Sequence, residues 1–503
     1  MLSNPYSAVL KQFGWLADLY TVDFFVEHHW EKLPKAWQVY FEKCLQLSDQ
    51  PKCTSQQFQQ QIELIQHILS DNPTSDTTTF NKVGPAPFSF LALKECVKQL
   101  SYSYEAVKDK RQLCKKLNFN ENVVGDQNNF TNLLDQPVKL RSKLKPKKLH
   151  EVGRLCDLID VLLAHHKCKF GEDIKHVVDI GAGIGHLSRM FSLVKNLDVT
   201  TIEGNSEFVE KSKILDQMFM AKVASKEWKA PNRQEAYIKH TQHIDSLTKG
   251  DNHQQTAHVV VGLHSCGDLS PTILRYFVHN INAKVLISIG CCYHKLNGGT
   301  DKPFMQDYGG KEKELAEPIN ISGYPMSSSM FKDVQLSYAS REIASFSKDR
   351  FLEILISDQS LKVLSIHSYR AALEYLILGC PETSQLSQLN QKLRHQGLPK
   401  VKNATTMEFS EYMTQALRNQ PDVLKRIENS DNANLSQVMS LLEKDGIKVV
   451  IMIALRLILA PLIEAIVLQD RIEFLKENAL MCYAVPLFKP NVSPRNIVLI
   501  SFK

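Results

Sequence analysis

A large excess of charge of one sign is lacking: 60 Lys and Arg against 54 Asp and Glu leave a net charge of +6 on 503 residues. So mild a balance permits a nucleic-acid partner through a local patch and does not impose one. A disulfide framework is also lacking, since the eleven cysteines are odd in number and irregularly spaced, with one adjacent pair at Cys291-Cys292. The opening Met1-Leu2-Ser3-Asn4-Pro5 lacks the basic-then-apolar order of a secretion signal. Reduced thiols and a soluble protein of the cytoplasm or nucleus are therefore expected, and the Asn-x-Ser/Thr triplets at Asn129 and Asn320 carry no meaning for glycosylation. Long apolar runs are few. Val449 to Leu468 comes nearest to a membrane span, with Leu, Ile and Val contributing about −4 to −8 kcal/mol. Arg456 and Glu464, at roughly +2.5 to +3.5 kcal/mol each, and Pro461 bring the sum near zero, so no span is favoured and a buried core helix is expected. What remains is ordinary globular composition, 43% apolar and 23% charged, long enough for two to four domains.

The organising stretch is Val177-Val178-Asp179-Ile180-Gly181-Ala182-Gly183-Ile184-Gly185. It reads as a short buried strand and a glycine turn, and Leu187, Met190, Phe191 and Val194 then follow helical spacing. Strand, Gly-rich turn and helix open a doubly wound α/β sheet, whose ligands sit beyond the carboxyl ends of the strands. A dinucleotide site begins the same way but wants a third glycine at position 186, where this chain has His186. Asp179, two residues before the first glycine, instead resembles the first motif of class I S-adenosylmethionine (SAM) methyltransferases. Val199 to Glu203 reads as the second strand, with Glu203 at its tip able to accept both ribose hydroxyls of an adenosine. NAD would use the same acid, so Glu203 supports a nucleoside without choosing between them. SAM is favoured, through Asp179, Gly181, Gly183, Gly185, Glu203 and the tip residue Leu263.

In chain order, residues 1–144 show helical spacing (Phe58, Ile62, Ile65, Leu69; Phe88 to Leu100) and no Gly-rich turn, and are expected to form a helical N-terminal domain and linker. Phe24 to Pro34 reads as a packed helix rather than a ligand site. The most basic stretch follows: Lys139, Arg141, Lys143, Lys145, Lys147 and Lys148, with Pro146 opening a helix. Such cations can bind phosphates in a salt-sensitive way, or simply face solvent. The SAM-binding core is expected over 145–296, with a faint third strand at Ala236 to Lys239, a fourth at Val259 to Leu263 and a fifth at Val285 to Ile289. An insertion of loop and helix, in the position of a lid, is expected over 297–447. A helix and two closing strands, Cys482 to Phe488 and Ile497 to Phe502, complete the core over 448–503.

Chemistry is expected at two strand tips: His264-Ser265-Cys266-Gly267-Asp268 after strand four, and Cys291-Cys292-Tyr293-His294 after strand five. Strands four and five are expected as neighbours of strand one, and Asp268 or Ser270 as the cap of the next helix. Four readings stand. His264 or His294 removes a proton while alignment does most of the work; Cys266 or Cys291 attacks as a nucleophile, although the usual Pro-Cys is absent; two His and three Cys hold Zn²⁺; or the thiols and rings simply pack. His-x-Cys and Cys-Cys-x-His are not a standard clamp, and no metal is assigned. His264, Cys266, Asp268, Cys291 and His294 are the catalytic candidates; Lys145, Lys147, Lys148 and His150 are the substrate-binding ones. Adenine dimethylation is unsupported, because Leu263-His264-Ser265-Cys266 does not offer Asn/Asp-Pro-Pro-Tyr.

These residues resemble the methyltransferase-like protein 25 family through Phe24 to Pro34, Lys145 to Val152, Asp179 to Leu187, Leu263 to Leu269, Gly290 to Leu296, Tyr369 to Glu374 and Ser493-Pro494-Arg495-Asn496. The resemblance implies a SAM-dependent methyltransferase fold, and marks Lys147, His150 and Glu151 as a family signature. A shorter similarity, His264–Gly267 with Cys291–His294, is to tRNA 2′-O-methyltransferases acting in the acceptor stem, without their zinc-finger module. The expected function is SAM-dependent methylation, of RNA (2′-O or base) or protein. A non-catalytic SAM-binding scaffold and an NAD-dependent oxidoreductase are the alternatives.

Overall fold

The computed structural model describes residues 4–46, 54–70, 83–125, 128–131, 144–222, 228–238, 241–248, 256–300, 323–328, 334–356, 360–379, 401–429 and 432–503. They divide into two compact units, Met1–Ser101 with Phe346–Leu462, and Tyr102–Ser345 with Ile463–Lys503.

The second unit is built on seven strands, β1 (His176–Ile180), β2 (Asp198–Glu203), β3 (Asn232–Glu235), β4 (His258–Ser265), β5 (Ala283–Gly290), β6 (Cys482–Pro486) and β7 (Ile497–Phe502), in the order β3-β2-β1-β4-β5-β7-β6. β1 to β5 are parallel, and β7 inserts antiparallel between β5 and β6. The near-continuous apolar runs of β4 and β5 follow from helices covering both faces. On one face Val177, Val259, Val261, Val285 and Ile287 pack with Leu155, Leu158 and Ile159 of the Pro146–Phe170 helix and with Leu187 and Phe191. On the other, Val178, Ile180, Val260 and Leu286 pack with Ile273, Leu274 and Phe277 of the Leu269–His279 helix and with Leu475. Each such buried side chain contributes about 1.5–3 kcal/mol.

This is the class I methyltransferase sheet that the strand–turn–helix pattern predicts. The chain runs from β1 outward to β2 and β3, then returns to β4 on the other side, so the topological switch point, where such sheets bind ligands, lies at the carboxyl ends of β1 and β4. β5 lies one place further out than expected, paired to β4 and not to β1. The third strand lies at Asn232–Glu235, not Ala236 to Lys239. It is a polar edge strand with one neighbour, so burial leaves no apolar alternation in its sequence.

The first unit is helical. Thr54–Leu69 and Phe88–Leu100 fall where the apolar spacing predicts them. Phe24 to Pro34 is not one helix. A 3₁₀ turn, Thr21–Asp23, and a short helix, His29–Lys32, are separated by His28 at φ 50°. The buried His29 ring meets Tyr20 O at 3.0 Å, a packing role. The expected 297–447 insertion is divided between the units: residues 323–345 go with the sheet, whereas Ser360–Gly379 and Asn432–Ile458 pack on each other, the latter also on Thr54–Leu69. These helices have apolar stripes with no sheet in their own segment to cover them, and they close a core together. The apolar run holds the end of one helix and the start of the next, Ala460–Glu477. Leu435–Glu477 is long and apolar enough to cross a membrane, but 89% of its most apolar window is buried within the protein. Arg456 is buried and donates to Ala17 O at 3.1 Å.

Candidate active site

After β1 the backbone turns through Gly181, Gly183 and Gly185 at φ 74°, 57° and 69°, a region that strains other residues. Gly181 N–H donates to Ile202 O at 2.8 Å, which draws the turn over the end of β2. Gly183 N–H donates to Glu203 Oε2 at 2.8 Å, and Asn205 N–H to Glu203 Oε1 at 2.9 Å. A Cβ on Gly183 would meet nothing within 4 Å, so the backbone there stands open. At Gly185 a Cβ would instead overlap the Arg233 guanidinium, which is clamped on Asp216 through Nε at 2.9 Å and Nη2 at 3.0 Å. Asp179 differs from its expected role. It is 1% exposed and accepts from Ser188 Oγ at 2.5 Å. Burial raises its pKa, against the Ser188 hydrogen bond. It therefore braces the turn from beneath, and of the two acids expected to flank a cofactor only Glu203 reaches partly exposed surface.

His264 interrupts the β4–β5 ladder. The register slips between Leu263 and Ser265, and His264 takes φ 63°, rare outside glycine. The bulge carries the imidazole to Glu151 of the Pro146–Phe170 helix, Nε2 to Oε1 at 2.9 Å. Glu151 is 1% exposed and also accepts from Ser493 Oγ at 2.7 Å, with Lys148 Nζ 3.6 Å and Lys147 Nζ 3.7 Å away. Burial alone would raise its carboxyl, but the His264 hydrogen bond and charge, Lys148 and Ser493 hold it down at about 2. An ionised carboxylate only accepts, so His264 holds a proton on Nε2 toward Glu151, and Nδ1 is the ring nitrogen left outside this pair. Leu263 turns its side chain into the core.

Glu151 was legible only as part of the 145–152 signature. Its spacing from Lys147 and Lys148 announced an acid among cations, and nothing local announced a histidine 113 residues away. His150 departs from its expected role: its Nε2 accepts from Lys489 N–H at 2.9 Å, and burial, then the Arg154 and Lys489 charges, lower its pKa to about 4. A neutral ring bonded to the chain's own backbone is a poor phosphate ligand. Lys147 and Lys148 lean on Glu151, while Lys145 stands exposed at the helix start. Lys139, Arg141 and Lys143 lie outside the described residues.

The two tips do meet. Cys266, Cys291 and Cys292 bring their sulfurs to 3.0 Å (266–291), 3.3 Å (266–292) and 3.5 Å (291–292). Hydrogen bonds with Cys266 and Cys291, with positive charge from His294 and Lys295, lower the Cys292 thiol, and its two neighbours are raised. His294 stays out of the triangle, with Nδ1 3.3 Å from Ser345 Oγ. Asp268 occupies the first cap position of the Leu269–His279 helix without capping it through its side chain. Its Oδ1 accepts from Asn297 N–H at 2.9 Å instead, tethering the segment after β5.

A seven-stranded sheet with one antiparallel strand next to the last, a glycine turn open at Gly183 and an acid at the tip of β2 define a class I methyltransferase domain, and residues 147–299 match the family model described as a methyltransferase domain. The chain is similar to the proteins named Probable methyltransferase-like protein 25 of Homo sapiens and of Mus musculus, at 29% identity over 251 residues with each. Each match covers 49% of this chain and 37% of the relative, so the chain spans little more than a third of the length of the curated relatives it matches.

Proposed function

We propose that the protein methylates RNA in the cytoplasm or nucleus, using SAM as donor and His264 as the base that takes the acceptor's proton. The observation carrying this reading is that the switch point between β1 and β4 is flanked by a nucleoside-type acid, Glu203, at the tip of β2 and a carboxylate-oriented imidazole, His264, at the tip of β4. The residues fit the donor: the open backbone at Gly183 admits close approach, and Glu203 accepts hydroxyl hydrogen bonds. When bound, SAM supplies an electrophilic methyl on a sulfonium. The chain's own part is alignment, which can contribute about 7–11 kcal/mol, and proton removal at His264 Nδ1. Glu151 stabilises the imidazolium that forms and keeps the ring in one tautomer.

Two tests follow. By calorimetry, Gly183→Arg should fill the open approach and Glu203→Ala should remove the acceptor and loosen the turn, each weakening SAM at least roughly tenfold, the loss of one good hydrogen bond to a charged group. Unchanged SAM affinity in both variants, or nicotinamide dinucleotide binding tighter than SAM, defeats the cofactor assignment. The acceptor rests on the exposed Lys145 and the cations around it. Affinity for tRNA or rRNA fragments should fall steeply with salt, its log–log slope less negative by roughly 1 per cation removed, as in Lys145→Gln. Binding indifferent to salt rejects RNA. A protein that binds SAM yet labels nothing in extract from cells lacking it would be a scaffold.

A further inference from the structure

We propose that Cys266, Cys291 and Cys292 bind one zinc ion as a three-thiolate site whose fourth position faces solvent at the strand tips. The cluster shares no side chain with the proton-transfer pair, including neither the His264 ring nor Glu151, although the His264 carbonyl accepts from Cys266 Sγ. Among the described residues these three are the group whose donor atoms converge for a metal, all within 4.8 Å.

Three features favour a cation over packing. First, the sulfurs form a closed triangle with sides of 3.0–3.5 Å. A tetrahedral site with Zn–S near 2.3 Å has S···S edges of about 3.8 Å, so the triangle needs to open by less than about 1 Å to hold the ion. Second, a disulfide uses two sulfurs at about 2.05 Å and strands the third, whereas each sulfur here lies 3.0–3.5 Å from both others. Third, the frame is fixed. Two of the thiols lie on the turn leaving β5, anchored by the buried Tyr293 on Glu464 at 3.1 Å, and the third follows the His264 bulge, whose carbonyl accepts from Cys266 Sγ at 3.3 Å.

Cys266 is exposed and the other two partly so, so the open side of the triangle reaches water. Three protein ligands with an open fourth position are the arrangement of zinc sites that bind a water or a substrate atom, whereas structural sites close all four. Zinc is preferred to harder cations because thiolates select soft and borderline ions.

The test is metal content of the full chain, purified under reducing conditions with zinc present and passed through desalting. One zinc per chain is expected by mass spectrometry, falling to background in Cys266→Ser with Cys291→Ser and retained in Cys168→Ser, an exposed cysteine elsewhere. Because the double variant can fail to fold, wild-type protein stripped by chelator is also titrated with Co²⁺. Thiolate-to-cobalt charge-transfer bands saturating at one equivalent, and abolished by prior zinc, support the site. Wild-type protein that retains no zinc and shows no such bands overturns it, as does zinc that persists in the folded double variant. A Cys–Cys disulfide that survives reductant in the purified protein overturns it too.

Discussion

His264→Ala should lower labelled-methyl transfer into RNA by about 10²–10⁴, the usual contribution of a positioned general base, which is about 3–5 kcal/mol of transition-state stabilisation. SAM affinity should stay unchanged, because Glu203 and the glycine turn hang on other elements, β1 and β2. Glu151→Gln tests the pair from its other end. Gln keeps the shape but can present its amide N–H to Nε2, which favours the wrong tautomer, and it no longer stabilises an imidazolium; a loss of roughly tenfold or more is expected. A pH effect on stability goes with it. The folded carboxyl sits at about 2 against 4.5 when free, so its contribution is fully present above about 4.5 and is lost as pH falls through about 2, amounting to about 3 kcal/mol. Urea melts of wild type should lose stability over that window and those of Glu151→Gln should lose less. Full transfer by His264→Ala, or equal loss of SAM binding and transfer, removes His264 from the proton path.

The sheet was readable because β1, β4 and β5 announce themselves as apolar runs, and because the glycine turn must have that composition to take its backbone angles. The site was readable less evenly. His264, Cys266, Cys291 and Cys292 could be placed at strand tips by counting outward from β1, since topology carries such residues to one edge. Their partners could not. Glu151 lies on a helix that precedes the sheet, and Ser493 comes from the connection between the last two strands; pairing across such distances leaves no period in a sequence. Asp179 shows the opposite error. Its position in a motif suggested ligand contact, whereas a fully buried carboxylate next to Ser188 is better satisfied inside the fold. The division of residues 297–447 between two units was hidden for a related reason: apolar helices state that they need a cover, not which one.

The largest expected loss of stability is at Glu464, one of the two charges that argued against a membrane span. It is 2% exposed, and it serves three donors: Tyr104 OH at 2.5 Å on Oε2, and Tyr293 OH at 3.1 Å and Arg495 Nη1 at 3.0 Å on Oε1. Burial and the carboxylate raise both tyrosines well above their usual range, so each remains a neutral donor. Glu464→Ala removes the acceptor from two buried hydroxyls and the counter-ion facing a buried guanidinium, a change worth about 3–5 kcal/mol. For a unit of this size that is a fall in melting temperature on the order of 10 °C. Glu464→Gln should fall between, keeping one oxygen while turning an N–H toward a donor. The decisive variant is Glu464→Leu with Arg495→Met. Replacing a buried ion pair by apolar groups of similar volume costs far less than breaking it, so the double variant should be more stable than Glu464→Ala alone if the pair itself dominates. Should the double variant be no better, the tyrosine hydroxyls carry the cost. The consequence then extends to the thiols, because Tyr293 is the anchor of the turn that bears Cys291 and Cys292, and its release should loosen that corner of the sheet even where the fold survives.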